Sequence, residues 1–419
     1  MKINAIHARE IFDSRGIPTI ECGIALSDGA FITASVPAGI SRGAHEAVEL
    51  RDGGDRLMGL GVQNAIKIIE EIIAPTLVER APDMIACDIE LLRLDETDDK
   101  SQLGANAMLA VSMAICKAQA YVEGAELYEF IAHISQYSTV ALPCPMFNVL
   151  GGGLHANNNF AIQELLIVPT REFSFNNAMN TGVTIYHALQ DILRAKGKMT
   201  AVGYEGEFVP SFTHAYEPFD LVMEAIEKSG NGSNVVLAID VAASHFYNKV
   251  TRLYQFPLAL SLSKGKEITS HELIEWYEDL ISRYPIYSIE DGLGESDWNG
   301  WRDMKKELGA RVKIVGDDIF TTDPQRIWYG IENSSATSAI IKPNQIGTVT
   351  ETLQAIQLCK DNEWDVIVSH RSGETNDTFI ADLAVGVSAT HIKTGGCSRG
   401  ERMAKSNRLL QIEEILTSI

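Results

Sequence analysis

The chain has 419 residues, a formal net charge of −21 at pH 7 and a sequence pI of about 4.9. So acidic a protein lacks the basic surface that nucleic acids and anionic membranes require, although a local cluster of cations can still bind a small anion. At this length we expect two or three domains, because a single hydrophobic core stops growing at about 250 to 300 residues.

Strand-like and helical stretches are mixed in the first third of the chain. The runs TIECGIAL and AFITASVP resemble strands, and GVQNAIKIIEEIIAPTL and GANAMLAVSMAICKAQAYVEG have helical spacing. We predict a smaller α+β capping domain over residues 1–136, with the boundary near residue 137, where turn-forming residues increase. The most apolar run is interrupted by Asn106, Ser112 and Lys117, which predicts a buried helix and not a membrane span.

The cysteines and the first residues both indicate a cytoplasmic protein. Six cysteines lie far apart without a Cys-x-x-Cys pair, which is typical of isolated reduced thiols. The opening sequence MKINAIHARE has no apolar segment of the kind found in secretory signals. We therefore expect a cytoplasmic location.

From residue 235 the chain repeats a regular unit. Six apolar runs end in or just before a polar or charged residue, namely Asp240, Glu290, Asp317, Lys342, His370 and Lys393. After the first gap these residues recur at intervals of roughly 23 to 28, about the length of one strand plus its returning helix. The spacing predicts a (β/α) barrel over residues 137–419, with these side chains at the face where barrel active sites lie.

Three of these residues predict a metal site. Asp240, Glu290 and Asp317 are expected to converge from neighbouring strands, where buried carboxylates repel one another unless a divalent cation holds them. A ligand set made only of oxygen atoms favours Mg²⁺ over Zn²⁺. The alternative is that arginine and lysine side chains neutralise the carboxylates.

The next three strands carry cations. Arg371 offers a planar fork for phosphate or carboxylate, and the hydroxyl of Ser372 adds a donor. Burial and nearby cations such as Lys393 lower the pKa of a lysine, so Lys342 is expected to be a neutral amine that removes a proton beside a carboxylate. The alternative for Lys342 is an ion pair with Asp317 or Glu290 on a neighbouring strand.

Motifs along the whole chain resemble those of enolases, the phosphopyruvate hydratases. They run from AREIFDSRGIPTIE through PMFNVLGGGLHANNNFAIQE to KTGGCSRGERMAKSNRLLQIEE, and the most specific are KPNQIG and SHRSGET in that order. Enolase-superfamily sites use a lysine or histidine base with one or two Mg²⁺ ions. The resemblance implies an enolase-type (β/α)8 TIM-like barrel, a homodimer or larger ring of dimers, and the lyase reaction that reversibly dehydrates 2-phospho-D-glycerate to phosphoenolpyruvate in glycolysis and gluconeogenesis.

The resemblance also implies a role for each matching residue. Lys342 would take the α-proton to form an ene-diolate stabilised by Mg²⁺, and Glu205, in GYEGE, would protonate the departing hydroxyl. By the same resemblance, a first Mg²⁺ would bind Asp240, Glu290 and Asp317, and a second would bind Ser41 and the substrate phosphate. Arg371 and Ser372 would bind the phosphate, and Lys393 would bind the substrate carboxylate. The pocket that closes over the substrate would contain His155, Gln163, Glu164 and His370, and Glu164 and His370 would also be catalytic.

Several positions depart from the family pattern, mostly close to the predicted site residues Ser41, His155 and Glu205 or after the run YPIYSIED: Arg42, Leu154, Tyr204, Glu207, His245 and Gly292. Glu207 either raises the pKa of Glu205 by like-charge repulsion or points to solvent. Two alternative functions stay open, of which the first is suggested by Arg42, Leu154 and Tyr204. One is a related lyase for another phosphorylated or phosphonylated hydroxy acid, and the other is a non-catalytic scaffold or surface-binding protein with the same fold.

Overall fold

A computed structural model describes residues 1–40, 42–170, 174–232, 234–255 and 267–418. Ser41, the predicted ligand of a second metal ion, lies outside the described residues. Within them, no helix combines the length and the hydropathy that crossing a membrane requires.

The N-terminal part is an antiparallel sheet covered by helices. The sheet has the order β1 (Ile3–Phe12), β2 (Pro18–Leu26) and β3 (Phe31–Ser35). The helices are α1 (Gln63–Ile68), α2 (Ala74–Leu77), which follows α1 through a π-helical turn over Ile69–Ile73, α3 (Met84–Asp95), α4 (Ala105–Glu123) and α5 (Leu127–Ile134). The predicted α+β composition is confirmed.

Polar residues of the apolar helix α4 attach this part to the rest of the protein. The hydroxyl of Ser112 accepts a hydrogen bond from the backbone N–H of Val349 at 2.9 Å. The amine of Lys117 pairs with the carboxylate of Asp377 at 2.7 Å. Because buried polar groups need such partners, these contacts hold the two parts of the chain in one arrangement.

Eight strands close into a barrel. The first three are β4 (Cys144–Gly151), β5 (Glu164–Pro169) and β6 (Val235–Asp240), and a separate small sheet follows with β7 (Tyr247–Asn248), β8 (Leu253–Gln255) and β9 (Glu267–Ile268). The other barrel strands are β10 (Ile286–Glu290), β11 (Lys313–Gly316), β12 (Ser338–Ile341), β13 (Asp365–Ser369) and β14 (His391–Gly395).

Helices lie between the barrel strands along the chain and after the last of them. In chain order they are α6 (Phe175–Ala195), α7 (Glu217–Lys228), α8 (Ser270–Arg283), α9 (Trp298–Leu308), α10 (Pro324–Glu332), α11 (Pro343–Ile346), α12 (Val349–Asp361), α13 (Phe379–Gly386) and α14 (Gly400–Ser418). All six apolar runs of the repeating region are strands, so the predicted barrel is confirmed.

One strand runs against the others. The order around the barrel is β4, β5, β6, β10, β11, β12, β13 and β14, and β5 is antiparallel to both β4 and β6. Its first residue, Glu164, therefore lies beside Asp240, the last residue of β6. The reversal places a carboxylate from the start of a strand at the face where the parallel strands end.

The barrel interior is divided into an apolar and a charged layer. A cluster of buried side chains from six of the eight strands fills the middle, formed by Cys144, Met146, Leu166, Val168, Ala238, Val315, Ile340 and Ile367. The charged side chains lie beyond this cluster, at the C-terminal ends of the parallel strands.

Candidate active site

Three acids and one amine form a buried group at the strand ends. The amine of Lys393 lies 2.8 Å from Glu164, 3.0 Å from Glu290 and 4.0 Å from Asp240. Burial acts to lower the pKa of Lys393, but the charges of these carboxylates outweigh it and raise that pKa well above its usual value. Lys393, which the resemblance assigned to the substrate carboxylate, is thus surrounded by the acids of the site.

Lys342 forms an ion pair with Asp317 of the neighbouring strand. The other oxygen of Asp317 accepts a hydrogen bond from the side-chain amide of Gln345 at 2.9 Å. Burial acts to lower the pKa of Lys342, yet the charge of Asp317 outweighs burial and the nearby cations, and the net shift is upward. The expected neutral amine is therefore wrong for this arrangement, and the alternative of an ion pair between neighbouring strands is the one observed.

Glu205 lies buried among neutral donors. Its carboxylate accepts a hydrogen bond from Asn148 at 3.2 Å, and ring nitrogens of His370 and His155 lie 3.4 Å and 3.8 Å from its two oxygens. Burial, together with the charge of Glu164, raises the pKa of Glu205 to about 8. A carboxyl group with this pKa carries a proton at neutral pH and can act as an acid.

Glu207 points inward, beside Glu205, and not to solvent. It is fully buried, and its Oε2 accepts a hydrogen bond from the backbone N–H of Glu205 at 2.8 Å. A Cβ atom built on Gly203 would lie 2.0 Å from Oε1 of Glu207, and one on Gly151 would lie 2.6 Å from its Cγ. Burial and the charge of Glu205 raise the pKa of Glu207 to about 8.

The groups expected to bind phosphate contact a segment of the N-terminal part. The guanidinium of Arg371 lies 3.0 Å from Glu46 and donates a hydrogen bond to Asn344 at 3.0 Å. The hydroxyl of Ser372 accepts a hydrogen bond from the backbone N–H of Ile40 at 2.8 Å. Residues on both sides of position 41 therefore cover this side of the site.

The other departures from the family pattern lie around the site. Arg42 is 3.8 Å from Glu46, and Leu154 and Tyr204 are exposed. His245 and Gln163 line a neighbouring cavity of about 230 Å³. Gly292 packs closely, since a Cβ atom there would lie 2.8 Å from Ile289.

Most predicted site residues line one small cavity of about 20 Å³. Its lining consists of His155, Gln163, Glu164, Glu205, Asp240, Asp317, Lys342, Ser369, His370, Arg371 and Ser372. Glu290 and Lys393 complete the charged cluster through their contacts with each other. A larger surface cavity of about 450 Å³ near Tyr137 is lined by neutral side chains, so the acid–base chemistry belongs to the smaller one.

Several contacting residues were missed by the sequence analysis: Glu46, Asn148, Asn344, Gln345 and Arg402. Asn148 carries a usable signal, because it is a polar residue in a strand that is otherwise apolar and entirely buried. Asn344 and Gln345 lie two and three residues after Lys342, in the motif KPNQIG already noted for its specificity. Arg402 lies within the quoted motif KTGGCSRGERMAKSNRLLQIEE, but nothing in the local sequence indicates the partners of Arg402 or Glu46, which are distant along the chain.

The donor set suits a hard divalent cation. The carboxylates of Asp240, Glu290 and Asp317 lie on three adjacent strands, and their surroundings provide only oxygen and nitrogen donors. Among the described residues, the groups of three possible ligands whose atoms lie within 4.8 Å of one another are Asp291, Asp317 and Asp318, and His155, Glu164 and Glu205, so the predicted set of Asp240, Glu290 and Asp317 is not as closely grouped here. Asp291 accepts the backbone N–H groups of Asp317 and Asp318, both at 2.9 Å, which holds the end of β11 in place.

Buried carboxylates and two lysines at the C-terminal face of a TIM-like barrel are typical of an enzyme of acid–base chemistry, and the acidic groups could hold a divalent metal ion. Two family descriptions match the chain: "Enolase, N-terminal domain" over residues 3–131 and "Enolase, C-terminal TIM barrel domain" over residues 139–419. A curated protein named "Enolase" from Natranaerobius thermophilus is 48% identical over 420 residues, which cover 100% of this chain and 96% of that protein. This chain belongs to the enolase family.

Proposed function

We propose that this protein reversibly dehydrates 2-phospho-D-glycerate to phosphoenolpyruvate, with Lys342 as the base and Glu205 as the acid. The observation that carries the proposal is one buried cavity lined by both residues and by the carboxylates of Asp240 and Asp317. Membership of the enolase family supports the reaction itself. The assignment of individual residues rests on their positions and contacts.

The metal sites follow from the carboxylates. Asp240, Glu290 and Asp317 would hold a first Mg²⁺, and a second would bind beside the substrate phosphate and Ser41. When bound, Mg²⁺ supplies positive charge that stabilises the negative charge developing on the substrate carboxylate. Without a metal ion, Lys342 and Lys393 are the cations that pair with these acids among the described residues.

Lys342 must lose its proton before it can accept one from the substrate. Its contact with Asp317 is the principal influence that keeps it charged. When that carboxylate is engaged by another cation, burial and the charges of Arg371 and Lys393 act in the opposite direction and lower the pKa of Lys342. The same amine then removes the α-proton.

Glu205 supplies the proton that the departing hydroxyl requires. Its pKa of about 8 keeps it protonated at neutral pH. Asn148 and His370 both contact Oε2, so this oxygen is held in a fixed position. In the reverse direction the carboxylate of Glu205 removes a proton from water, and Lys342 returns a proton to carbon.

Substrate entry requires the covering segment to move. A cavity of about 20 Å³ is close to the size that holds one water molecule, which is much smaller than a phosphorylated acid. We infer that the phosphate replaces Glu46 at the guanidinium of Arg371, with Ser372 as a further donor and Lys393 nearest the carboxylate end. His155, Gln163, Glu164 and His370 then enclose the substrate as the loops close.

The assembly and location follow from the same family. We propose a homodimer or a larger ring of dimers in the cytoplasm, acting in glycolysis and gluconeogenesis. Light scattering during size-exclusion chromatography measures the assembly directly. A monomer at micromolar concentration would contradict this part of the proposal without affecting the chemistry.

The activity test is the formation of phosphoenolpyruvate from 2-phospho-D-glycerate, with Mg²⁺ and after its removal by a chelator. A panel of other phosphorylated and phosphonylated hydroxy acids is tested in parallel. We expect Mg²⁺-dependent turnover and a clear preference for 2-phospho-D-glycerate. Absence of turnover by folded, metal-loaded protein would favour the scaffold alternative, and preference for another acid would favour the related lyase.

A further inference from the structure

Arg402 lies outside the cavity and contacts the backbone of two loops of the active site. It is fully buried near the start of α14, and its Nη2 donates hydrogen bonds to the carbonyl oxygens of Tyr204 and Ser372 at 2.9 and 2.7 Å. Its Nη1 donates to the carbonyl oxygen of Arg371 at 2.6 Å and lies 2.5 Å from Nδ1 of His370. One side chain therefore contacts the residue before the proton donor and the loop expected to bind substrate.

The two terminal nitrogens of the guanidinium have neutral hydrogen-bond partners. Its four contacts through Nη1 and Nη2 are three carbonyl oxygens and one imidazole. The carboxylate of Glu401 lies 3.6 Å from Nε, which has no hydrogen-bond partner among the described residues. A buried cation whose hydrogen bonds go to carbonyl and imidazole dipoles is sensitive to the positions of these dipoles, so it favours one arrangement of the two loops.

The contact with His370 decides where that ring carries its proton. Arginine donates hydrogen bonds and cannot accept them, so Nδ1 of His370 must be the acceptor. A neutral imidazole that accepts at Nδ1 has its proton on Nε2. This Nε2 lies 3.4 Å from Oε2 of Glu205, so its N–H faces the carboxyl group of the proposed acid.

We propose that Arg402 is a positioning residue that fixes the Nε2–H tautomer of His370 and holds the Glu205 loop against the substrate loop. The role rests on the proposed function, because it acts on Glu205 through His370 and Tyr204. Arg402 itself does not line the cavity. The aliphatic part of its side chain packs against Gly395. A Cβ atom at position 395 would lie 2.8 Å from Cδ of Arg402, so the position of Arg402 requires a glycine there.

The first test uses the wild-type enzyme and does not depend on activity. Nitrogen-15 NMR of histidine-labelled protein reports the tautomer of each ring, and the His370 signal is assigned by its loss in His370→Gln. We expect the Nε2–H tautomer at neutral pH. The Nδ1–H tautomer in folded wild-type protein would overturn the proposal even if the enzyme converts 2-phospho-D-glycerate efficiently.

The second test compares two arginines of the same helix. Arg402→Ala is expected to lower kcat about 10- to 100-fold, the scale of a misplaced catalytic group, with a smaller change in KM. Arg408→Ala serves as the control, because Arg408 pairs with Asp382 and Glu126 away from the cavity. Added guanidinium ion is expected to restore part of the activity of Arg402→Ala and to leave the activity of Arg408→Ala unchanged.

A second variant covers the case in which Arg402→Ala does not fold. Arg402→Lys keeps the charge and one donor group, so it is expected to fold, to lose part of kcat and to show a mixture of His370 tautomers. If either folded variant retains both the Nε2–H tautomer and the kcat of the control, Arg402 has no positioning role.

Discussion

The side chain of Glu207 holds the backbone of Glu205, through a hydrogen bond of 2.8 Å between Oε2 and the N–H group. Both residues are buried, and burial raises the pKa of each carboxyl group to about 8. Glu207 therefore positions the proposed acid and also places a second titratable group beside it. The charge and the hydrogen bond of Glu207 can be separated by experiment.

Glu207→Gln removes the charge and keeps an oxygen that can accept the same hydrogen bond. Glu205 works as an acid only while protonated, so the rate of dehydration falls as pH rises through its pKa. Without an acidic neighbour that pKa is lower, and we expect the alkaline limb of the profile of kcat against pH to move to lower pH. The exposed variant Glu224→Gln is the control, and an unchanged or alkaline-shifted profile for Glu207→Gln would contradict the expectation.

Lys342→Ala removes the proposed base. We expect kcat for phosphoenolpyruvate formation to fall by about 10²- to 10⁴-fold, the usual contribution of a positioned acid or base. Circular dichroism should show a folded protein. Lys313→Ala is the matched control, because Lys313 begins the neighbouring strand β11 and pairs with Asp365 at the opposite end of the barrel. Turnover near the wild-type rate in Lys342→Ala would remove Lys342 from the mechanism.

Removal of divalent metal should lower both activity and stability. Mg²⁺ that binds only the folded state at 100 times its Kd adds about 2.7 kcal/mol to the free energy of unfolding. We expect this increment, measured by thermal unfolding with chelator and with Mg²⁺, to shrink in Asp240→Asn. Asp365→Asn is the control because this residue lies at the other end of the barrel. An equal increment in both variants would place the metal elsewhere.

Asp88 should make stability depend on pH. It is fully buried, accepts hydrogen bonds from the N–H and hydroxyl of Thr350, and burial raises its pKa from 3.8 to about 6. Between these pH values the folded protein keeps a proton that the unfolded chain has lost, so stability falls as pH rises. A shift of this size corresponds to about 3 kcal/mol at most.

Asp88→Asn should remove that fall. The amide oxygen can still accept from Thr350, while no charge forms at neutral pH. We expect the stability of the variant relative to wild type to be higher at pH 8 than at pH 4, measured by urea unfolding. The exposed variant Asp303→Asn should show no such difference, and equal relative stabilities of Asp88→Asn at the two pH values would contradict the expectation.

Much of the barrel could be predicted because its strands repeat a local pattern. Apolar runs that end in Asp240, Glu290, Asp317 and Lys393 are visible in the sequence, and all of them are barrel strands or strand ends. The reversed direction of β5 was not predicted, because side-chain periodicity along a strand is the same in both directions.

The sequence by itself determined the kinds of side chain present at the strand ends and the spacing that repeats them, since both follow from local backbone geometry and burial. Only the tertiary structure decided their charge partners: Lys342 with Asp317, Lys393 among Glu164 and Glu290, and the inward position of Glu207. Charge pairing depends on distances between segments far apart in the chain, and these distances exist only after the strands have closed into the barrel.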